Sequence, residues 1–285
     1  MRKIDAQLQY EALGAWVYRA AQRNRPLQPT DLAIHKPLRP PPDHASDRPH
    51  AGATGLDRWL AERIRRHDPT QIVDLGCGFG STLCTLAEST QAELTGIAAS
   101  VFQIEQARQL AHDRGLAERL RFIQEPLETV TLSPQPDAGL SIEAIGYVAD
   151  VLALAERLHT QMQPGGHLHL VDDWLKQRLP PTDADYGRFL ACWGRTHVPL
   201  REEFIAHFEW AGFRLVESVD LTDQVDAGRR SHALRRTSLR LAVALAPTRR
   251  WQALLAAFLG GCYLEALYAR GLTAYSYLHF QNAPR

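Results

Sequence analysis

A glycine-rich turn is the first feature of this sequence of 285 residues that could do chemistry. Residues 72–81 read IVDLGCGFGS, so an apolar run leads into three glycines at alternate positions, and a helical pattern follows. Glycine lets the backbone approach a ligand closely and adopt positive φ. Asp74 stands just before the turn, where its carboxylate could face a cationic group such as an ammonium. The segment therefore predicts a ligand site at the end of a strand.

Two kinds of nucleotide site use a similar turn, and the residues argue against both. A dinucleotide site of the G-x-G-x-x-G type needs glycine where this sequence has Ser81, and it needs an acidic residue after the next strand. That strand ends in residues 96–100, GIAAS, which contain no acid. A phosphate-binding P-loop needs Gly-Lys followed by Ser or Thr, which is absent from this turn. A nicotinamide-dependent oxidoreductase stays open only as a weaker alternative.

Polar residues at the ends of two later apolar runs could act on a substrate. Glu143 follows the run 138–142 and could serve as a general base, or it could bind backbone amides instead. Tyr147 could point into the same pocket, or it could pack at the start of a helix. Asp172 and Asp173 end another apolar run, and because neighbouring strand side chains face opposite ways, at most one should reach a substrate. We take Asp172 as the candidate, with a helix cap or a solvated pair as the alternative.

Alternating strand and helix patterns must position these residues. Short apolar runs alternate with amphipathic helical stretches, a pattern typical of a parallel sheet with helices on both faces. In such a doubly wound α/β sheet, ligands bind at the carboxyl edge of the strands. The predicted strands are 72–75, 93–97, 120–123, 138–142, 167–171, 213–219 and, as a final edge strand, 274–280. We therefore expect a mostly parallel sheet of seven strands.

Helical segments should flank this sheet. Residues 5–24 have apolar side chains at helical spacing. The proline-rich residues 37–42 predict a flexible segment or an ordered strap over the site. We expect an N-terminal helical cap with a flexible segment over 1–65. A ligand-binding domain over 66–285 should follow, with a helical lid at about 180–270.

The glycine turn and two later turns resemble those of the class I S-adenosylmethionine-dependent methyltransferases, over roughly residues 55–220 plus the final strand. Residues 73–80 (VDLGCGFG) are similar to that family's first motif, residues 163–166 (QPGG) to its L-x-P-G-G turn, and residues 211–213 (AGF) to its A-G-F turn. The resemblance implies a Rossmann-like fold and S-adenosyl-L-methionine as cofactor. It also implies that the acidic residue of the first motif lies close to the cofactor's amino group.

Two further segments are similar to the methyltransferases of small molecules, which include sterol, tocopherol, natural-product and prenyl-diphosphate enzymes. Residues 96–103 (GIAASVFQ) resemble their G-I-T-L-S-x-x-Q stretch, and residues 140–144 (LSIEA) resemble their fourth strand. In that group serine and glutamine replace the usual ribose-binding acid, and in prenyl-diphosphate enzymes the glutamate matching Glu143 is the base. The resemblance implies as cofactor-binding residues Asp74, Gly76, Cys77, Gly78, Ala98, Ser100, Gln103, Gln124, Glu125, Pro126 and Ser141.

We therefore expect an enzyme that transfers the cofactor's methyl group to carbon or oxygen of a small, largely apolar metabolite, either an isoprenoid or an aromatic natural product. Aromatic residues after the fifth strand suit such a substrate, and we expect Trp174, Tyr186 and Trp193 to bind it. A non-catalytic cofactor-binding module stays open as an alternative. A methyltransferase of a macromolecule stays open too, although the D/N-P-P-Y signature typical of amide and base methylation does not follow the fourth strand.

Charge argues against nucleic acid as a partner. Thirty-two basic and 32 acidic residues give a formal net charge of zero, which disfavours a duplex-binding surface and a polybasic membrane anchor. One local basic patch is predicted on a single helix, and it could be a solvated face or a clamp for an anionic substrate group such as a diphosphate. Its members are Arg229, Arg230, Arg235, Arg236 and Arg240.

The cysteine, histidine and hydropathy patterns bear on the cellular compartment, on metal binding and on membrane insertion. The four cysteines lack metal-ligand spacing and suit the reduced thiols of a cytoplasmic protein. His167 and His169 share a strand face, but with no third ligand nearby we predict no metal site. We expect no signal peptide and no membrane span, since the best apolar candidate, 239–246, is too short. The expected partner is a small-molecule substrate, and a homo-oligomer stays open.

Overall fold

The computed structural model describes residues 5–23, 28–41, 47–225 and 232–283. Short 3₁₀ turns cover Pro29–Leu32, Ile145–Tyr147 and Thr222–Gln224. The helices and strands, in chain order, are α1 (Ala6–Ala21), α2 (Ala53–Arg65), β1 (Gln71–Leu75), α3 (Ser81–Ser89), β2 (Glu93–Ala98), α4 (Val101–Asp113), β3 (Leu120–Gln124), β4 (Ala138–Ile142), α5 (Val151–Gln161), β5 (His167–Leu175), α6 (Ala184–Trp193), α7 (Arg201–Ala211), β6 (Phe213–Asp220), α8 (His232–Ala244), α9 (Arg249–Ala269) and β7 (Thr273–Asn282).

The seven described strands form one sheet in the order β3-β2-β1-β4-β5-β7-β6. Strands β1 to β5 pair in parallel, whereas β7 is antiparallel to both of its neighbours. This confirms the predicted doubly wound, mostly parallel sheet. The predicted edge position of the final strand is wrong, because β7 lies between β5 and β6 and almost all of its residues are buried. Its sequence, TAYSYLHFQN, shows the weak polar alternation of a strand covered on both faces.

Helices cover the two faces of the sheet in separate layers. Side chains of α2, α3 and α4 pack with β1 to β4 on one face. Helices α5 and α7 pack on the other face, where buried aromatic rings of α7, β6 and β7 stack on one another. Since both faces are closed by apolar contacts, the carboxyl edge of the parallel strands is the part of the sheet left for a ligand.

A helical cap lies over that edge. Helix α9 packs against α1, α6 and α8, and α8 and α9 are inserted between β6 and β7. By length and composition α9 could cross a membrane, so the expectation that no stretch is long enough is wrong on this point. However, 61% of its apolar window is buried inside the fold, as expected for the central helix of the cap. The predicted division between domains at residue 65 stays a prediction.

Residues 28–41, which include the proline-rich stretch as far as Pro41, form a strap over the carboxyl edge of the sheet. The backbone N–H of Arg39 donates to the carbonyl of Gln224 at 2.7 Å, which ties the strap to the chain after β6. Residues 34–37 of the strap then run along the carboxyl edge of the sheet. The strap alternative therefore describes this stretch, while residues 42–46 lie outside the described part of the chain.

Candidate active site

A cavity of about 830 Å³ lies between the carboxyl edge of the sheet, the strap and the cap. This volume falls in the range of roughly 300–1,000 Å³ that is typical of small-molecule sites. The β1–α3 turn and the ends of β2, β4 and β5 form its floor. Helices α1, α6 and α9 and the strap form its roof. The cavity therefore occupies the edge of the sheet where the sequence predicts a ligand.

The glycine turn between β1 and α3 is open toward this cavity. Gly76, Gly78 and Gly80 all have positive φ, at 96°, 53° and 73°. A Cβ on Gly76 would lie 2.2 Å from the Cβ of Ala144, so no larger residue fits there without moving the backbone. The backbone N–H of Gly76 donates to the carbonyl of Ile97 at 2.9 Å, which fixes the turn against β2. Only glycine therefore fits at position 76, because the β4–α5 turn approaches it closely.

Asp74 is the buried carboxylate beside this turn. Its residue is 3% exposed, and it makes no side-chain hydrogen bond with the residues that the structure describes. Burial raises the pKa of Asp74 to about 8, and the nearby charge of Asp57 also raises it. Ionisation of such a carboxylate is favoured by a cation that approaches it. Its surroundings therefore fit the contact with the ammonium of S-adenosylmethionine that the resemblance implies.

The expected ribose-binding residues lie next to one another on the cavity wall. Ala98 ends β2, and Ser100 caps α4 by accepting the backbone N–H of Gln103 on its Oγ at 3.3 Å. Gln103 is 5% exposed and lines the cavity from the first turn of α4. The wall also includes the expected residues Gly76, Cys77, Gly78 and Pro126.

Three expected cofactor residues do not line the cavity. The Gln124 side-chain amide donates to the carbonyl of Ala99 at 3.1 Å. The buried hydroxyl of Ser141 donates to the carbonyl of Leu75 at 2.7 Å, which ties β4 to β1. Glu125 holds its loop by a backbone bond. After β3 the structure places on the wall, besides Pro126, the unpredicted residues Leu127 and Glu128.

Glu143 stands on the cavity wall immediately after β4. Its φ of +54° lies in the left-handed region, which is uncommon for a residue with a side chain. Its Oε1 accepts the backbone N–H of Lys36 and the hydroxyl of Tyr275, both at 2.9 Å. The Lys36 ammonium lies 3.2 Å from Oε2. The strap and β7 thus hold this carboxylate with donors that suit an anion.

Lys36 joins this carboxylate to a second one. Its Nζ donates to Oδ2 of Asp173 at 2.8 Å, and the hydroxyl of Tyr268 donates to Oδ1 of the same residue. Burial by itself lowers the pKa of Lys36, but the charges of Asp173 and Glu143 outweigh it and the net shift is upward. Lys36 therefore stays an ammonium at neutral pH and anchors the strap on the site.

Both acids at the end of β5 face the cavity, which corrects the expectation that at most one could. Asp172 and Asp173 point to opposite faces, but β4 ends opposite Val171, so the following residues of β5 border the cavity directly. Asp172 accepts the backbone N–H of Gly146 at 3.0 Å and lies 3.8 Å from Arg195. Burial raises the pKa of Asp172 to about 6, although Arg195 acts to lower it.

Tyr147 lies across the cavity in a stack with two other side chains. The guanidinium of Arg195 lies 3.9 Å from the centre of its ring, and the ring of Tyr10 meets it edge-on at 5.2 Å. Burial raises the pKa of Tyr147 to about 12, so its phenol keeps its proton at neutral pH. Two nitrogens of Arg195 are buried without a hydrogen-bond partner in the described structure. The stack places a cationic group on a largely aromatic wall.

Of the three aromatic residues expected to bind substrate, only Trp193 lines the cavity. Trp174 is fully buried on the far face of the sheet, where its ring packs against Phe204 at 4.4 Å. It follows an acid that faces the cap, so strand alternation turns it away. Tyr186 is a residue of α6 whose ring is buried in the core, and its hydroxyl accepts the backbone N–H of Val198 at 3.1 Å. The structure thus corrects the expectation for Trp174 and Tyr186.

The described arginines of the predicted basic patch lie on α8, away from the cavity. Arg236 lies 3.3 Å from Asp185, while Arg235 and Arg240 are exposed. This agrees with a solvated helix face, and among the described residues the arginine on the cavity wall is Arg195. The two remaining members of the patch, Arg229 and Arg230, lie outside the described residues.

Histidines from distant segments meet at the opposite, amino end of β5. His67, just after α2, stacks on His167, and His279 of β7 stacks on His169. The reasoning that no third ligand stands near His167 and His169 was therefore wrong. The neighbours come from segments far apart in sequence, so no local spacing indicates them.

Several polar residues around Glu143 and Tyr147 were not among the predicted site residues. Lys36, Arg195 and Tyr268 line the cavity, and the buried Tyr275 donates its hydroxyl to Glu143. Lys36 directly precedes the proline-rich residues 37–42, so a strap over the site would indicate it as a nearby cation. Tyr275 stands opposite Asp173 in the β5–β7 register, but that signal exists only once β7 is placed beside β5.

Comparisons with known proteins agree with this architecture. Residues 66–205 match a family model described as "Methyltransferase domain". The chain is 28% identical over 180 residues to the methyltransferase phqN of Penicillium fellutanum, which covers 60% of this chain and 54% of that protein. It is 25% identical over 177 residues to the sterol 24-C-methyltransferase erg6 of Aspergillus fumigatus, which covers 60% of this chain and 47% of that protein. The chain thus spans about half the length of these curated relatives.

A solved structure shows the same fold over the whole length of both chains. It is geranyl diphosphate methyltransferase in complex with GPP and sinefungin, with a TM-score of 0.66, 17% identity, and coverage of 98% of this chain and 100% of that chain. The cap and strap are therefore included in the shared architecture, together with the sheet. The match to the methyltransferase domain model spans residues 66–205, which contain the glycine turn and β1 to β5.

Proposed function

We propose that this protein is an S-adenosylmethionine-dependent methyltransferase that methylates carbon or oxygen of a small, largely apolar metabolite. The observation that carries the proposal is the Asp74 carboxylate, buried beside the glycine turn and without a side-chain partner among the described residues. A sulfonium cofactor with an amino-acid part brings an ammonium to such a carboxylate. The family match of residues 66–205 supports the same assignment.

The cofactor would lie along the floor of the cavity. When bound, S-adenosylmethionine supplies an electrophilic methyl group on its sulfur. The chain's own contribution is to align the acceptor with that methyl group and to keep water away, and alignment alone can supply roughly 7–11 kcal/mol of the barrier. The residues proposed to hold the cofactor are Asp74, Gly76, Cys77, Gly78, Ala98, Ser100, Gln103 and Pro126.

The cap side of the cavity would take the substrate. Its wall is largely aromatic and aliphatic, and it includes Phe189, Trp193 and Leu264. Such a wall favours an apolar molecule held by few polar groups. A relative named a sterol 24-C-methyltransferase and a similarly folded geranyl diphosphate methyltransferase support an isoprenoid. We propose an isoprenoid or an aromatic natural product, with Trp193 as a substrate contact.

Glu143 is the group that we propose to accept a proton from the substrate, at one of its carboxylate oxygens. Lys36 and Tyr275 hold this carboxylate in position through the bonds to Oε1. We propose that Tyr147 and Asp172 also contact the substrate. Because the pKa of Asp172 is raised to about 6, this carboxyl can exchange a proton near neutral pH.

We also propose a cytoplasmic location and a small molecule as the partner. All four cysteines are free and buried, which suits a reducing compartment. The zero formal net charge supports a partner other than nucleic acid.

Calorimetry with purified protein tests the cofactor assignment. We expect S-adenosylmethionine and S-adenosylhomocysteine each to bind at one site per chain. At pH 8, Asp74→Asn should weaken the binding of S-adenosylhomocysteine by about tenfold or more, the scale of a lost hydrogen bond to a charged group. An absence of heat with both molecules would contradict the proposal, and stabilisation by NADH alone would favour the oxidoreductase alternative.

Release of S-adenosylhomocysteine in the presence of acceptors then tests the reaction. A sterol, geranyl diphosphate and a phenolic natural product sample the proposed acceptor classes. We expect release with at least one of them and no release with oligonucleotide or unfolded protein. Tight cofactor binding without release for any acceptor would instead support a non-catalytic module.

A further inference from the structure

Four histidines form a compact group at the amino end of β5, which we call the histidine cluster: His67, His167, His169 and His279. Three of them stand on the central strands, where His169 lies directly opposite His279 in the β5–β7 register. His67 comes from the short segment after α2 and lies on the outside of the group. The cluster joins a loop to two neighbouring strands, and no part of the proposed reaction uses it.

The ring nitrogens of this cluster approach one another closely. Nδ1 of His167 lies 2.9 Å from Nε2 of His279. The ring of His67 stacks on that of His167 with 3.6 Å between centres. One nitrogen from each of His67, His167 and His279 lies within 4.8 Å of the other two. Such a convergence of three imidazoles is the ligand set of many transition-metal sites.

His169 adds an independent observation from inside the core. It is 1% exposed, and its Nδ1 lies 2.8 Å from the hydroxyl of Tyr277. Its Nε2 is buried and has no hydrogen-bond partner in the described structure. Its ring stacks on His279 at 4.4 Å between centres. A buried polar atom without a partner calls for an explanation, and an ion or an ordered water bound beside the cluster would supply one.

The charges around the cluster permit a cation. The buried Arg63 is paired with Asp47 at 3.1 Å and Glu217 at 2.9 Å. Arg66 and Arg214, whose charges also act on the cluster, are exposed to solvent.

We propose that His67, His167 and His279 bind one divalent transition-metal ion, with Zn²⁺ as the reference ion. Zinc–nitrogen bonds are about 2.0–2.1 Å long, so two ligand nitrogens of a tetrahedral ion lie about 3.3–3.4 Å apart. The 4.8 Å spread therefore needs a shift of about 1.5 Å. His67 is exposed and can provide this shift without disturbing the core. Three imidazoles leave a fourth position, which water can fill.

The metal would have a structural role, separate from the methyl transfer. His167 and Asp172 stand five positions apart on β5, a distance of about 17 Å at roughly 3.3 Å per residue. An ion at the cluster thus lies far from the cavity and would fasten the segment after α2 to β5 and β7. Its loss should weaken the fold and leave the cofactor site intact.

Titration of tag-free, EDTA-treated and desalted full-length protein with ZnCl₂ at pH 7.5 tests this inference. We expect one ion per chain in calorimetry and a rise in Tm upon addition of Zn²⁺. His67→Asn should weaken Zn²⁺ binding by about tenfold or more and should abolish the rise in Tm. As a matched control, His112→Asn removes an exposed histidine on α4 and should bind Zn²⁺ like the unmodified chain.

Two further readouts separate this inference from the alternatives. Substitution by Co²⁺ should give visible absorption typical of nitrogen ligation without a thiolate charge-transfer band. Affinity for S-adenosylhomocysteine should be equal in His67→Asn and the unmodified protein, which shows that the variant is folded. No stoichiometric Zn²⁺ binding, equal Zn²⁺ affinity in His67→Asn, or a thiolate band from one of the cysteines would each overturn the proposal.

Discussion

The affinity of this protein for S-adenosylhomocysteine should rise with pH because of Asp74. In the free protein the pKa of this carboxyl is raised by burial to about 8, so at pH 6 it is protonated in nearly every molecule. The ligand's ammonium favours the ionised carboxylate, so binding must expel the proton at low pH. Since the pKa of Asp74 is raised from its ordinary value near 3.8, the free protein also loses stability as the pH rises from about 4 to about 8.

The size of the effect follows from the ionised fraction. With a pKa of about 8, about 1% of Asp74 is ionised at pH 6 and about half at pH 8. If the bound form is fully ionised, the affinity should rise by up to about fiftyfold over these two pH units and then level off. The ligand's own amino group, that of an α-amino acid, titrates above this range. The charge of His35 lowers the pKa of Asp74, so loss of that charge as the pH rises should make the rise in affinity less steep.

Calorimetry from pH 6 to pH 9 measures this dependence, with two controls. In Asp74→Asn the affinity should be lower at pH 8 and nearly flat with pH. For the unmodified protein, 5′-methylthioadenosine, which lacks the amino-acid part, should also show a flat profile. A flat profile for S-adenosylhomocysteine itself would refute the reasoning, and so would an equal slope for both ligands.

Glu143→Gln should leave the affinity for S-adenosylhomocysteine nearly unchanged while lowering kcat by about tenfold or more, the scale of a lost general base; unaltered turnover with an identified acceptor would remove Glu143 from the mechanism. Gly76→Ala should lower Tm markedly, because its Cβ would lie 2.2 Å from another side chain at a φ of +96°, and a steric change of this kind costs about 1–3 kcal/mol. Gly78→Ala is the matched control, since its Cβ would lie 3.1 Å from the flexible end of a side chain and should cost less. Equal changes in Tm for the two glycine variants, measured by thermal denaturation, would contradict this account.

Some parts of the site depend only on residues that are close to them in the chain, and these parts could be predicted from the sequence. The strand that carries Asp74, the tight turn at Gly76 and the serine cap at Ser100 each depend on residues within a few positions, so periodicity and residue type indicate them. The same holds for the order of helices and strands. These features could be predicted because their physical causes are local in the chain.

The surroundings of Glu143 depend on contacts between segments far apart in the chain, and no local sequence pattern indicates such contacts. Glu143 is held by Lys36 and Tyr275, which stand 107 and 132 positions away from it. Trp174 gives a related lesson, because it shares a face of β5 with Asp172, which lines the cavity, yet its own ring packs against Phe204. Strand alternation does not show which residue of that face reaches the cavity. The positions of these side chains relative to the cavity are therefore determined by the packing of distant segments.

The central position of β7 has a consequence for biosynthesis. This strand is made after β5 and β6 and is separated from β6 by two helices, yet it fills the gap between the two strands. A nascent chain that has emerged only through β6 therefore has an open edge on β5 and a β6 without its strand partner, and both can pair with other chains. Because β7 also carries Tyr275 and His279, the ligand cavity, the histidine cluster and the continuous sheet should all mature in one late step.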